Sequence, residues 1–126
     1  MSDLLWVRNH IKYASEEKDY WKFADETIRD GFGDCEDGAI LLARLLLDRK
    51  FEIDSTGKVR LLPYHQVLVN VYLNPPHVAV TIGDGDELRD WTNSSLKKVP
   101  SDWKLWYCFN RKHAYTTREN AAKWKK

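Results

Sequence analysis

The stretch GFGDCEDGAILLARLLLDRK, residues 31–50, puts a cysteine where a thiol could do chemistry. Cys35 stands directly before an apolar helical pattern, and Asp34, Glu36 and Asp37 surround it. The positive end of a helix dipole stabilises a thiolate, whereas neighbouring carboxylates raise the pKa of a thiol. Cys35 is therefore a candidate nucleophile, with an inert buried cysteine as the alternative.

A thiol nucleophile needs a base to take its proton and a third group to orient that base. His77 opens one β-rich run and Asp90, 13 residues later, lies near the end of the next. This separation suits two strands of a hairpin, with both side chains on one face. A helix docked on that sheet could bring Cys35 to the same place. His65 is the alternative base, but it lacks an aspartate placed like Asp90.

The helices that must position these residues are predicted in the first half of the chain. Residues 3–15 read as an amphipathic helix, because their apolar positions fall on one face: Leu4, Val7, Ile11 and Ala14. A loop and a short helix ending at Gly31 follow, since glycine favours the position after a helix. Residues 36–48 are apolar nearly all round, which predicts a buried helix at the centre of the fold.

The second half of the chain is rich in β-formers. The runs HQVLVNVYL, HVAVTI and ELRDWT (residues 65–73, 77–82 and 87–92) are separated by NPP and GDGD, and predict successive antiparallel hairpins. KLWYCFNR, residues 104–111, is a fourth strand candidate, with a short final helix after it. Helices followed by strands indicate an α+β fold, and the length favours a single domain over residues 1–126.

Composition limits the classes of function. Of the 126 residues, 43% are hydrophobic and 31% are charged, which is typical of a folded globular protein. The formal net charge of +1 argues against dedicated nucleic-acid binding. The segment from Arg111 onward is basic, and we interpret it as a solvated terminal helix or frayed end. Zinc-ligand spacing, a P-loop and a dinucleotide fingerprint are absent from the sequence.

The location expected from the sequence is the cytoplasm. The N-terminus MSDLLWVRNH lacks a secretory pattern, and Arg44 interrupts the longest apolar run, so no membrane span is expected. Two cysteines make no disulfide framework. Cys108, inside LWYCFN, is interpreted as a core residue, and a Cys35–Cys108 disulfide is the alternative in an oxidising compartment.

The stretch DYWKFADETIRDGFGDCEDGAI, residues 19–40, resembles the signature of the bacterial transglutaminase-like cysteine peptidases. In that family a Trp and a Glu precede a Gly-Asp-Cys-Glu-Asp stretch that opens a helix. HVAVTI and ELRDWTN resemble the family's strands that bear its histidine and aspartate. Two positions depart from the family pattern: Gly38 stands where an aromatic residue is common, and Trp91 where Asn is usual. The matching residues of the cysteine motif are Trp21, Glu26, Gly33, Asp34, Cys35, Glu36, Asp37 and Ala39.

The resemblance implies a transglutaminase-like, papain-related α+β fold, in which N-terminal helices and a central Cys-bearing helix pack on an antiparallel sheet. It implies Cys35 as nucleophile, His77 as general base and Asp90 as the orienting group. The reaction class is acyl transfer at a peptide or amide carbonyl through a thioester. The Cys35 backbone N–H would meet the oxyanion, and Trp21 is a candidate for lining the cleft.

The three carboxylates beside Cys35 admit two interpretations. They favour a helix N-terminus and can simply point into water. Alternatively they bind a cation, since calcium takes oxygen ligands and some members of the family that the chain resembles need calcium. Asp34 and Glu36 are then the first candidate ligands, and Asp37 the next. The chemistry itself requires no cofactor.

The sequence therefore favours a monomeric cysteine hydrolase, a protease or amidase, that acts on a protein or peptide substrate. A binding or structural module without turnover, within a larger bacterial or phage assembly, is the alternative from another class. A protein-crosslinking transglutaminase, with a lysine amine in place of water, is a further alternative.

Overall fold

The computed structural model describes residues 2–15, 22–54, 56–74, 76–83, 85, 87–110 and 114–115. This part of the chain contains three α-helices: α1 (Asp3–His10), α2 (Ala24–Asp30) and α3 (Cys35–Arg49). A 3₁₀ turn spans Tyr64–Gln66. The strands are β1 (Lys12–Tyr13), β2 (Phe32–Gly33), β3 (Phe51–Ile53), β4 (Val59–Leu61), β5 (Leu68–Asn74), β6 (His77–Ile82), β7 (Glu87–Arg89), β8 (Lys104–Phe109) and β9 (Ala114–Tyr115).

The central helix α3 confirms the prediction for residues 36–48 and is one residue longer at each end. Asp34 is its N-cap, and Lys50 ends it in the left-handed conformation with φ of 64°. The helix packs on β5 and β6 and against both other helices. Its long apolar run explains this central place, because six apolar side chains of the run are buried: Ala39, Leu41, Leu42, Ala43, Leu46 and Leu47.

The main sheet is antiparallel, with the strand order β7-β6-β5-β8-β9. The predicted hairpins β5–β6 and β6–β7 are confirmed. The face towards α3 contributes valines and an isoleucine to the main core: Val69, Val71, Val78, Val80 and Ile82. A second cluster is formed by Tyr72, Ala79 and Leu88, on which side chains of the segment after β7 pack. The α+β class predicted from the sequence is therefore correct.

The predicted helix over residues 3–15 is wrong in its second half. Helix α1 ends at His10, and Ile11 is extended. The next residues instead form β1, which pairs in parallel with β2 immediately before the start of α3. Lys12 N–H donates to Gly31 O, and Ala14 N–H donates to Gly33 O, both at 2.9 Å. This non-local pairing provides hydrogen-bond partners for the backbone N–H groups of Lys12 and Ala14, which the apolar spacing alone would have placed in a helix.

Smaller differences occur at the ends of the predicted strands. His65 lies in the 3₁₀ turn, so β5 starts only at Leu68. Strand β7 ends at Arg89, which leaves Asp90 just beyond it. The predicted final helix lies outside the described residues, except that Ala114–Tyr115 form β9. No helix within the described ranges combines the length and apolar character needed to cross a membrane.

Candidate active site

Cys35 is the first residue of α3 and is partly buried. Its thiol donates to Glu36 Oε2 at 3.3 Å. The backbone N–H of Val78, the residue after His77, donates to the Cys35 sulfur. The start of β6 therefore lies against the N-terminus of α3, and the backbone next to His77 contacts the candidate nucleophile.

His77 and Asp90 meet at the start of β6. His77 Nε2 and Asp90 Oδ2 are 2.7 Å apart, and Asp90 is only 2% exposed. The β6–β7 register pairs Val80 with Arg89, so its continuation sets Asp90 diagonally from His77 on one face of the sheet. A histidine bonded through Nε2 keeps its Nδ1 available for a second partner.

Asp90 is held in its charged form. Its Oδ1 accepts hydrogen bonds from the Thr92 N–H at 2.9 Å and the Thr92 hydroxyl at 2.7 Å. Burial acts to raise the pKa of Asp90, but the hydrogen bonds from His77 and Thr92 outweigh burial and leave the pKa below its usual value. A buried, ionised carboxylate on Nε2 fixes the tautomer and orientation of His77 and can stabilise its protonated form.

Trp103 covers another side of this pair. Its ring stands edge-on to the His77 ring, with the centroids 5.5 Å apart, and edge-on to Tyr72 at 5.0 Å. These contacts restrict the orientations open to the imidazole. Trp103 is 26 residues from His77 in sequence, so only the fold brings the two rings together.

The pKa of Cys35 is raised to about 12. Burial is the largest cause, followed by the hydrogen bond to Glu36 and by the negative charges of Glu36 and Asp34, while the N–H of Val78 acts to lower it. With these carboxylates charged, the thiol rather than the thiolate is the stable form near neutral pH. The like-charge effect predicted from the sequence is thus present.

The three neighbouring acids differ in their contacts. Asp37 is fully buried, and its two oxygens accept from the backbone N–H groups of Lys22 at 3.0 Å and Asp34 at 3.3 Å. Burial raises the pKa of Asp37 to about 6 despite these bonds. Burial, followed by the hydrogen bond and charge of Glu36, raises the pKa of Asp34 to about 6.

These contacts test whether the acids fit a calcium ion. The carboxylate of Glu36 lies close enough to raise the pKa of Asp34, and oxygen donors of this kind suit a hard cation. The oxygens of Asp37 are already engaged by the backbone. Across the described ranges, no group of three or more His, Cys, Asp or Glu side chains is arranged to hold a metal. One oxygen of Asp34 accepts from the Asp37 N–H and one oxygen of Glu36 accepts from the Cys35 thiol, so calcium binding by these two residues stays a prediction.

The remaining candidates fall in different places. Trp21 lies outside the described residues. His65 packs edge-on against Tyr64, with ring centroids 5.8 Å apart. Cys108 is buried with Leu68 in a cluster separate from the main core that Cys35 contacts. Both cysteines are free thiols, so the alternative disulfide is not formed.

The sequence did not reveal that the two unusual positions, Gly38 and Trp91, contact each other. The indole Nε1–H of Trp91 donates to the backbone oxygen of Cys35 at 3.1 Å, and its ring lies directly over Gly38. Tyr13 approaches Trp91 with a ring-centroid distance of 5.8 Å. The sequence carried a signal, since both positions depart from the resembled pattern, but it could not show that they touch.

Solved structures similar to this chain include three of LapG from Legionella pneumophila. Calcium-bound LapG matches with a TM-score of 0.68 and 25% identity over 92% of this chain and 68% of the LapG chain. EGTA-treated LapG matches with a TM-score of 0.71 and 24% identity, over 91% and 63%. A third LapG structure matches with a TM-score of 0.69 and 24% identity, over 98% and 72%. The chain thus spans about two thirds of LapG, and its fold is transglutaminase-like. No family model and no curated protein matches the sequence.

Proposed function

We propose that this chain is a cysteine hydrolase, a protease or amidase, with Cys35 as nucleophile, His77 as general base and Asp90 as the group that orients His77. The observation that carries the proposal is the 2.7 Å contact between His77 and the buried Asp90. His77 begins β6, and the backbone N–H of the next residue, Val78, donates to the Cys35 sulfur. LapG, a cysteine protease of transglutaminase-like fold, supports the same class of function.

The reaction follows from these positions. His77 takes the thiol proton of Cys35, and the thiolate attacks the substrate carbonyl carbon. The backbone N–H of Cys35, at the first turn of α3, donates to the resulting oxyanion, since first-turn N–H groups have no partner within the helix. The protonated His77 then gives its proton to the leaving amine, and a thioester remains. Water, deprotonated by His77, attacks the thioester, and the returned proton restores the thiol as the carboxylic acid leaves.

Calcium enters the proposal as a regulator of the thiol. Asp34 and Glu36 would hold the ion, with Asp37 maintaining the backbone around them. A cation there would neutralise charges that raise the pKa of Cys35. LapG has been solved in calcium-bound and EGTA-treated forms, which supports testing calcium first.

The second candidate function is a binding module without turnover. The raised pKa of Cys35 favours it, because a thiol with a pKa of about 12 is a weak nucleophile near neutral pH. The two candidates differ in whether His77 activates Cys35. For either of them, we propose a protein or peptide partner and a monomeric chain.

Covalent labelling with a peptide-like, thiol-directed electrophile tests the hydrolase proposal. The rate is measured at Cys35 in a Cys108→Ala background, with calcium and with a chelator, and His77→Ala is compared with His65→Ala. The hydrolase requires labelling that falls by about 100-fold or more in His77→Ala and is retained in His65→Ala. Equal labelling in both variants, or none in a folded protein, would favour the binding module.

A further inference from the structure

The indole of Trp91 occupies the space that a side chain at position 38 would fill. Trp91 is 4% exposed and belongs to the main core cluster. A Cβ atom built on Gly38 would overlap the indole atoms Cε2, Nε1 and Cζ2. Gly38 lies in the first turns of α3, so the indole reaches the helix backbone only because this position has no side chain.

Trp91 also joins the elements that meet at the candidate site. It directly follows Asp90, and its indole N–H donates to the carbonyl oxygen of Cys35 at 3.1 Å. Its own carbonyl oxygen accepts from the guanidinium of Arg8, on α1, at 2.6 Å. A carbonyl oxygen has two lone pairs, so this contact adds to the helical hydrogen bond of Cys35 without replacing it.

We propose that Trp91 is a positioning residue that fixes the first turn of α3 against the loop bearing Asp90, and that Gly38 is its obligatory complement. The inference rests on the proposed function in one respect, namely that Cys35 is the nucleophile. The hydrogen bond from the indole N–H to the Cys35 carbonyl fixes the position of the first turn of α3, and the ring fills the space between the helix and the loop. Without the N–H, the sulfur of Cys35 and the imidazole of His77 lose their relative alignment.

Two readouts separate positioning from packing. The first is labelling of Cys35 by the peptide-like electrophile, which needs a bound peptide aligned with Cys35 and His77, and the second is alkylation by iodoacetamide, which needs an accessible thiolate but no bound peptide. Trp91→Phe keeps a ring over Gly38 but removes the N–H. We expect at least a fivefold loss of peptide-like labelling and less than a twofold change with iodoacetamide, since one hydrogen bond of ordinary strength is lost. Trp106→Phe, on β8 and 56% exposed, is the matched control and should change neither rate.

A rescue variant tests the Gly38 complement. Trp91→Ala opens the space and should lower the thermal unfolding midpoint by several degrees. Adding Gly38→Phe refills that space from the helix and should recover part of the midpoint, but not the labelling, because the N–H is still missing. Recovery of labelling in this double variant, or wild-type labelling in Trp91→Phe, would overturn the proposal.

The same experiment distinguishes this inference from the proposed function. If wild type and His77→Ala label equally, the proposed function fails, and the positioning role fails with it. If His77 is needed while Trp91→Phe labels as wild type, only the role of Trp91 fails.

Discussion

At the scale of single residues, the candidate site is defined by opposing effects on one thiol. The N-terminus of α3 and the N–H of Val78 favour a thiolate at Cys35, whereas burial and the carboxylate of Glu36 favour the thiol. Burial and Glu36 prevail, because the pKa is raised. For Asp90 the outcome is the opposite, because burial acts to raise its pKa but the hydrogen bonds from His77 and Thr92 lower it further. Cys35 is thus stabilised as the thiol, whereas Asp90 is stabilised as the carboxylate that contacts His77 at 2.7 Å.

Replacing Glu36 should make the Cys35 thiolate easier to form. Glu36→Gln removes the charge and weakens the hydrogen-bond acceptor that raise the pKa of Cys35, so that pKa should fall. Below its pKa, each unit of decrease gives about tenfold more thiolate. We expect the alkylation rate with a chelator to rise about tenfold near neutral pH, with the midpoint of the rate against pH displaced downward. Asp48→Asn, on the last turn of α3, is the matched control. An unchanged midpoint in Glu36→Gln would contradict the assigned cause.

Replacing Asp90 should disable His77 without removing it. Asp90→Asn keeps the shape of the side chain but loses the charge that stabilises protonated His77, and its amide can favour the wrong tautomer. We expect labelling by the peptide-like electrophile to fall by about 100-fold or more. The exposed Asp102→Asn should label as wild type. Near wild-type labelling of Asp90→Asn would mean that another group orients the base.

At the scale of elements, local signals were predictable and non-local pairings were not. The apolar run and its acidic start predicted α3, and Gly31, with φ of 75°, ends α2 as expected. The hairpins around β6 follow from their turn sequences. By contrast, no local signal shows that β1 pairs with β2, so the helical spacing of residues 3–15 predicts a longer helix than the one that forms. The contact between Trp91 and Cys35, 56 residues apart in sequence, was hidden for the same reason.

The start of α3 combines two roles that one pair of variants can separate. Asp34 caps the helix through the Asp37 N–H and is also a candidate calcium ligand. Asp34→Ala should lower the free energy of unfolding by about 1 kcal/mol, because the cap is lost. Asp34→Ser retains a capping oxygen, so its stability should stay within about 0.5 kcal/mol of wild type.

Both variants remove a carboxylate, and both should therefore lose any increase of Cys35 alkylation caused by calcium. Urea unfolding and alkylation with and without calcium measure the two effects. A full calcium response in Asp34→Ser would exclude Asp34 as a ligand.

At the scale of the whole molecule, the candidate site depends on how separate layers dock. Cys35 comes from α3, His77 from the start of β6 and Asp90 from the loop after β7, so the site needs the helix and the sheet in register. The likeness to LapG extends over most of this chain, whereas the roles of these side chains stay proposals. A single domain over residues 1–126 also stays a prediction.

Two Arg–Glu pairs attach the β3–β4 hairpin to the edge strand β7. Arg89 holds Glu52 of β3 through two hydrogen bonds of 2.7 and 2.9 Å, and these side chains are 18% and 9% exposed. Arg60 of β4 holds Glu87 through two bonds of 2.7 Å, but this pair is more exposed. Partly buried pairs leave a costly unpaired charge when one partner is removed, whereas exposed pairs contribute little.

We therefore expect unequal effects from the two pairs. Glu52→Gln should lower the free energy of unfolding by about 1.5–3 kcal/mol, because Arg89 keeps its charge but loses its two close bonds to a carboxylate, and only Glu87, at 4.0 Å, is left as an acidic neighbour. Glu87→Gln, the same change in the exposed pair, should cost less than about 1 kcal/mol. Combining Glu52→Gln with Arg89→Met should cost less than the sum of the single changes, since the unpaired charge is then absent. Urea unfolding measures wild type, Glu52→Gln, Arg89→Met, their double variant and Glu87→Gln. Additive effects in the double variant would show that Glu52 and Arg89 are not energetically coupled.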